Sequence, residues 1–344
     1  AEQDAIVKVG VQWKSEPDNN GTEQLYNAND FLTKVVQDSA YEAASYALGV
    51  DLDLCNVNMK YNGDIVDGIT FDGNNHTIFN VKRGEMIANC AAGSIYGYGD
   101  SVTVKNLTID GMTVDYTAAV DSFSNEYHAF GALAGFVGDG FNAENVTVTH
   151  VTMNLNLLGE KGNAYNSAHL LPAECIGGLV GYAKGSVTLT GCNVEDLTVN
   201  VTDKNDSGGT QFLIGGLIGY ADALYTQIQG ENEYSSSNDY NGNGSVTITG
   251  CTVLDMTVDK NGATGASVGG FLGGIGKHIV SKTGATYSVT TTIDEVSAFP
   301  EGFENMGKEP TILDPTASNS AARSLDAMPA AAFEDESDEE NTAA

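Results

Sequence analysis

The sequence predicts an all-β fold: a parallel β-helix (solenoid) with an N-terminal capping helix and a disordered acidic C-terminal tail. Three observations predict the solenoid. One pattern occurs four times, a glycine-rich element recurs beside it, and the apolar spacing suits short strands joined by corners.

The four copies are SVTVKNLTIDGMTVDY (101–116), GFNAENVTVTHVTMNL (140–155), SVTLTGCNVEDLTVNV (186–201) and SVTITGCTVLDMTVDK (245–260). Apolar residues fall at shared offsets: Val102, Val104, Leu107, Ile109, Met112 and Val114 first, then Phe141, Ala143, Val146, Val148, Val151 and Met153. The later copies give Val187, Leu189, Cys192, Val194, Leu197 and Val199, and Val246, Ile248, Cys251, Val253, Met256 and Val258. The steps are two, three, two, three, two. A step of two keeps side chains on one face of a strand, and a step of three inserts a corner residue. Three short strands turning the same way make one coil, with the intervening Thr and Asn facing water. Burying each Val or Leu is worth roughly 1.5–3 kcal/mol, so several per coil stabilise a rod.

The glycine-rich elements are FGALAGF (130–136), IGGLVGY (176–182), IGGLIGY (214–220) and VGGFLGG (268–274). Gly131, Gly177, Gly215 and Gly269 are 46, 38 and 54 residues apart, so the core repeats while the loops vary. Alternation places apolar groups on both faces. Two readings fit: a buried strand, or a strand bulged at the glycine pair where missing Cβ atoms admit a neighbouring backbone. Cys192 and Cys251 share one repeat position, held elsewhere by Leu107 and Val146. They read as small stacked hydrophobes or as a disulfide between adjacent coils.

Residues 1–24 form an N-terminal strand segment, in which AIVKVGVQWK (5–14) puts Val7, Val9, Val11 and Trp13 on one face. It reads as a cap strand, as a remnant of a neighbouring domain, or as a donor strand, where those four are assembly residues. Residues 25–60 hold the helical cap, NANDFLTKVVQDSA, capped near Asn29 with Phe31, Leu32, Val35 and Val36 on one face. YALGVDLDL follows as the first solenoid strand. The β-helix fills 61–280 and a C-terminal cap 281–315, with YSVTTTIDEVSAF (287–299) as closing strand. Residues 316–344 end in FEDESDEENTAA, with no basic residue after Arg323, and read as a disordered acidic tail.

The glycine-rich elements resemble the GLUG repeat of bacterial cell-surface and secreted proteins, and FDGNNHTIFNV (71–81) is similar to the FDGNGHTI coil that opens such domains. The resemblance covers about residues 25–276. It implies a right-handed parallel β-helix at a bacterial cell surface or outside the cell, and no shared catalytic motif.

The net charge of −31, with 15 basic residues, excludes nucleic acid and anionic lipid as partners. Arg83 and Arg323 are the two arginines, which leaves little for bidentate capture of phosphate or carboxylate. The chain opens on Ala1, which reads as a processed product or a fragment, and no apolar stretch is long enough to span a membrane. Five cysteines without a CxxC pair indicate neither a zinc site nor a disulfide framework.

Asp196 and Asp255 are repeat equivalents at a corner, in a row that Gly111 and His150 interrupt. They read as corner residues bonding their own backbone, or as part of a catalytic carboxylate row. Asp72 and His76 read as turn residues or as an acid–base pair. The five histidines (76, 128, 150, 169, 278) lack metal-ligand spacing. In DKNDSGGT, Asp203, Asn205 and Asp206 are a weak calcium candidate without an EF-hand glutamate; no other cofactor is expected.

The variable loops carry the functional expectation. Residues 116–129, 159–174 and 223–244 are rich in Tyr, Asn and Ser, with Tyr127, Tyr165, Tyr225, Tyr234 and Tyr240 as candidate binding residues. Tyr gives contact area at low entropic cost, and Asn and Ser adapt their hydrogen bonds. The chain is expected to be a non-enzymatic, extracellular or surface adhesin-like module binding glycan or protein. The alternatives are a surface-filament subunit joined through the N-terminal strand or solenoid ends, and a glycan-active enzyme needing a suitably spaced carboxylate pair.

Overall fold

A computed structural model describes residues 21–36, 45–59, 66–84, 91–93, 96–118, 128–157, 174–203, 212–222, 226–227, 240–241, 244–261, 263, 266–279, 286–307 and 311–313. The chain is mostly strand, stacked in parallel coils of a solenoid-like fold. Successive strands Thr70–Gly84, Thr103–Ala118, Phe141–Leu157 and Asn193–Asp203 pair in parallel, then Asn193–Asp203 pairs with Thr252–Asp259. Their register is the one the spacing predicts: Ile109 faces Val148, Val148 faces Val194, and Val194 faces Val253.

Each step of three is a corner in the left-handed backbone region. One corner column contains Asn106, Asn145, Gly191 and Gly250, and a second contains Asn80, Gly111, His150, Asp196 and Asp255, all with φ between 51° and 78°. Asn, Asp and Gly enter this region most easily, and His is also enriched there. The two apolar residues before each corner and the two after it then face one core, where Val104, Ile109, Val148, Val194 and Val253 are buried. The outer face is a polar ladder. Thr108, Thr147, Asn193 and Thr252 align, and the Asn200 amide donates to Asn154 Oδ1 as Asn154 donates to Asp115 Oδ1, both at 2.8 Å.

The glycine-rich element is a flat reversal whose two arms lie back to back. The first arms, such as Glu174–Gly177 and Phe212–Gly215, stack in one parallel sheet; the second arms, Val180–Lys184 and Ile218–Asp222, stack in another. A Cβ on Gly181 would sit 2.4 Å from the Phe130 nitrogen, and one on Gly219 would sit 2.3 Å from the Ile176 nitrogen. Only glycine lets the facing backbones touch. The register between neighbouring second arms is constant, from Ala134–Val180 through Phe136–Tyr182 to Val137–Ala183. The element is buried, as one reading has it, but the chain bends at Gly178 and Leu179 between two strands rather than running on as one bulged strand. The reversal reaches deep into the solenoid, because a Cβ on Gly178 would meet Val194 Cγ1 at 2.9 Å.

Among the described residues the first paired strand is Thr22–Leu25, in register with Ser45–Leu48. The solenoid thus begins before the helix rather than after it. Glu23, at an inward position and bonded to Lys34, masks the apolar alternation of this strand in the sequence. The helix is short, Ala28–Phe31 continued by a π turn Leu32–Val36. Its cap is Asn27 rather than Asn29, since the Asn27 side chain accepts from the Asp30 N–H at 2.8 Å. Phe31, Val35 and Val36 are buried, as expected, and Phe31 packs edge-on against Phe71. The closing strand Thr286–Ile293 pairs in parallel with Gly244–Thr249, after which Phe299 packs edge-on against Phe271.

Arg83 occupies a core-facing position in register with Val114 and is fully buried. Its guanidinium donates to the Gly93 carbonyl, from Nε at 2.8 Å and also from Nη2. Burial lowers its pKa to about 9. This arginine is structural, held inside the coil.

Candidate functional site at the mouth of the glycine reversals

The back-to-back arms separate away from their glycine tips and enclose a second, small apolar cluster of Ala129, Phe136, Cys175, Tyr182, Leu213 and Tyr220. Its spine is a stack of rings from successive coils: Phe136 and Tyr182 are 4.7 Å apart, and Tyr182 and Tyr220 are 5.8 Å apart. In the next coil Gly274 takes the position beside Tyr220. Aromatic pairs at these separations contribute about 0.5–1.5 kcal/mol beyond their buried area.

Buried charge gathers at the open end of the same arms. Glu174 begins one first arm, while Lys184 and Asp222 are register partners at the ends of two second arms; all three are nearly or fully buried. Tyr182 donates its hydroxyl to Asp222 Oδ2 at 3.1 Å. Burial, joined by the fields of Glu174 and Asp222, raises the Cys175 thiol well above its ordinary pKa, so it stays protonated. Buried ions of this kind are expensive unless paired and bonded, so this end of the coil is tightly specified.

The variable segments attach around this mouth. Residues 119–127, 158–173 and 204–211 leave from strand ends in register, at Ala118, Leu157 and Asp203. They return at register partners His128, Glu174 and Phe212. Residues 223–243 follow Asp222 directly and stand where the preceding coil has the single residue Gly185 between Lys184 and Ser186. Within that insertion, Thr226–Gln227 pairs antiparallel with Tyr240–Asn241. The expected binding loops therefore fall into two groups, one entering the first arms and one leaving a second arm.

Of the candidate binding residues, Tyr240 lies in the antiparallel pair of the insertion, while Tyr127, Tyr165, Tyr225 and Tyr234 lie outside the described residues. Val7, Val9, Val11 and Trp13 also lie outside them. Asp203 ends its strand on the loop-bearing edge, and Asn205 and Asp206 lie outside the described residues. Among the described residues, no three His, Cys, Asp or Glu side chains gather as metal ligands, and no helix is long and apolar enough to cross a membrane.

The corner column holds a separate polar arrangement. Asp196 and Asp255 both sit at left-handed corners. His150 fills its place in the same row, and its Nδ1 lies 2.7 Å from Asp110 Oδ1, which also accepts from Thr149 Oγ1 at 2.9 Å. The hydrogen bond to Asp110, its charge, and the fields of Asp196 and Glu195 raise the His150 pKa. Asp72 and His76 do not pair with each other: Asp72 accepts from the Asn74 N–H and contacts Lys105, while His76 Nδ1 lies 3.0 Å from Asp51. Both are turn residues of a bulged corner.

The buried charges escaped sequence reasoning because Glu174 and Asp222 adjoin variable loops and Lys184 adjoins the Gly185 turn, where acids and lysines read as solvated. The repeated offset beside an otherwise apolar element is the signal that finds Lys184 and Asp222.

No family model matches the chain, and no curated protein matches it. A crystal structure of a "putative immunoglobulin A1 protease" from Bacteroides ovatus is similar in shape, with a TM-score of 0.34 and 12% identity over 87% of this chain and 86% of that one. At that distance the likeness carries no inference about activity.

Proposed function

We propose that this chain is a non-enzymatic, adhesin-like module of a bacterial surface or secreted protein, a right-handed parallel β-helix with its N-terminal helix as cap. It binds glycan or protein through the Tyr-, Asn- and Ser-rich segments around the mouth of the glycine reversals. One observation carries this reading: three variable segments leave from strand ends in register and return to strand starts in register. Parallel neighbours lie about 4.8 Å apart, so the coils anchor the two ends of each segment beside those of the next. The ring stack and buried charges beside these anchors fix them while the segments vary.

The test is glycan-array and protein-array binding by the whole chain, repeated with residues 158–173 replaced by a short Gly/Ser linker. The expected result is a ligand bound by the parent and lost by the replacement, with the circular dichroism of the coil unchanged. Binding that survives replacement of 158–173 and of 223–243 in turn overturns the reading. So does turnover of a polysaccharide or protein by the purified chain.

A further inference from the structure

Cys192 and Cys251 follow the first corner in adjacent coils, at equivalent core positions. Backbone hydrogen bonds bracket them: Gly191 N–H to Thr249 O at 2.8 Å, and Thr252 N–H to Cys192 O at 2.9 Å. The two α-carbons are thereby held at parallel-strand spacing, about 4.8 Å, inside the usual disulfide range of roughly 4.4–6.8 Å. Their side chains point the same way into the core, and the Cys192 N–H lies 3.4 Å from Cys251 Sγ. Where neighbouring coils place Leu107 and Val146, these two place sulfur against sulfur.

We propose that Cys192 and Cys251 are a redox-active pair that a disulfide oxidant closes into an inter-coil disulfide and that thiols reopen. The Cys251 thiolate attacks one sulfur of the oxidant and bonds to it as a mixed disulfide, while the oxidant's other sulfur departs as a thiolate. Cys192 then loses its proton and attacks the Cys251 sulfur, expelling the second thiolate. Two protein thiols are oxidised and one oxidant disulfide is reduced to two thiols, which carry the two protons the cysteines lose. Hydrogen bonds from the Cys192 thiol and N–H lower the Cys251 pKa, which suits it to attack first.

Access runs through the last turn. Residues 294–298 cover Cys251: its N–H donates to Ser297 Oγ and its carbonyl accepts from Ala298 N–H. Among the described residues no strand stacks beyond this turn, and it exposes Val296, so it opens locally before the coils do. The bridge would enclose residues 193–250 in one covalent loop, fixing the coil whose sequence carries the insertion 223–243. An oxidising extracellular compartment is where such a bridge persists.

The whole chain is incubated with oxidised glutathione, then denatured, alkylated and mapped by mass spectrometry. The expected result is loss of two hydrogens and one peptide pair joining Cys192 to Cys251, reversed by dithiothreitol. The pair is absent from C192S and C251S and retained in a C55S/C90S/C175S variant. Amide exchange over 252–259 should slow at least about tenfold on oxidation, an effect a pair that merely fills the core does not show. Alkylation of both residues after oxidation, a persistent glutathione adduct, or a bridge to Cys55, Cys90 or Cys175 overturns the proposal.

Discussion

His150 Nδ1 lies 2.7 Å from Asp110 Oδ1, joining an exposed corner of one coil to the strand below it. Asp110 raises the His150 pKa through this hydrogen bond, and His150 lowers that of Asp110. A group with a raised folded pKa contributes stability that is complete below its unfolded value, about 6.5 for histidine. That contribution is lost as pH rises through the folded value. Proton NMR of the imidazole should give a midpoint above that of a free histidine, and D110N should move it down. A midpoint unchanged by D110N would mean the contact is absent in solution.

Gly219→Ala should disrupt the packing of the two arms. Its Cβ would lie 2.3 Å from the Ile176 nitrogen and 2.5 Å from the Gly181 oxygen, both backbone atoms that cannot step aside. A loss of about 3 kcal/mol or more is expected in urea unfolding. Gly250→Ala, at φ 61° with no atom within 4 Å, should cost only about 1–2 kcal/mol. Equal losses would contradict the back-to-back arms.

Tyr182→Phe keeps the ring stack and removes one hydroxyl. Asp222 Oδ2 then loses a donor 3.1 Å away in a fully buried site. The expected cost is about 1–3 kcal/mol by thermal or urea unfolding. A neutral result would show that water or a neighbouring group already satisfies this carboxylate.

Leu197→Ala and Leu254→Ala separate the inner from the outer face. Leu197 is fully buried, whereas Leu254 is 46% exposed on the outer face of the next coil. The first should cost about 2–5 kcal/mol and the second less than about 0.5 kcal/mol. A reversed order in urea unfolding would invert the register that the pairing establishes.

The coils were legible because their information is local and repeated. A step of two or three between apolar residues is a statement about one strand and one corner, and four copies made the register unique. Asn145, His150 and Asp196 stand where the pattern requires a corner, and each has φ near 53°. The Thr22–Leu25 strand was less legible, because a buried Glu23 paired with Lys34 looks polar until its partner is seen.

By itself the sequence determined that this protein stacks short strands in register, which residues face inward, and where the variable segments interrupt the stack. Only the tertiary structure decided that the glycine-rich arms lie back to back and that Glu174, Lys184 and Asp222 are buried at their mouth. The physical reason is range. Periodicity follows from the geometry of neighbouring residues along one strand, whereas the approach of two backbones and the desolvation of a charge depend on coils that come together only when the chain has folded.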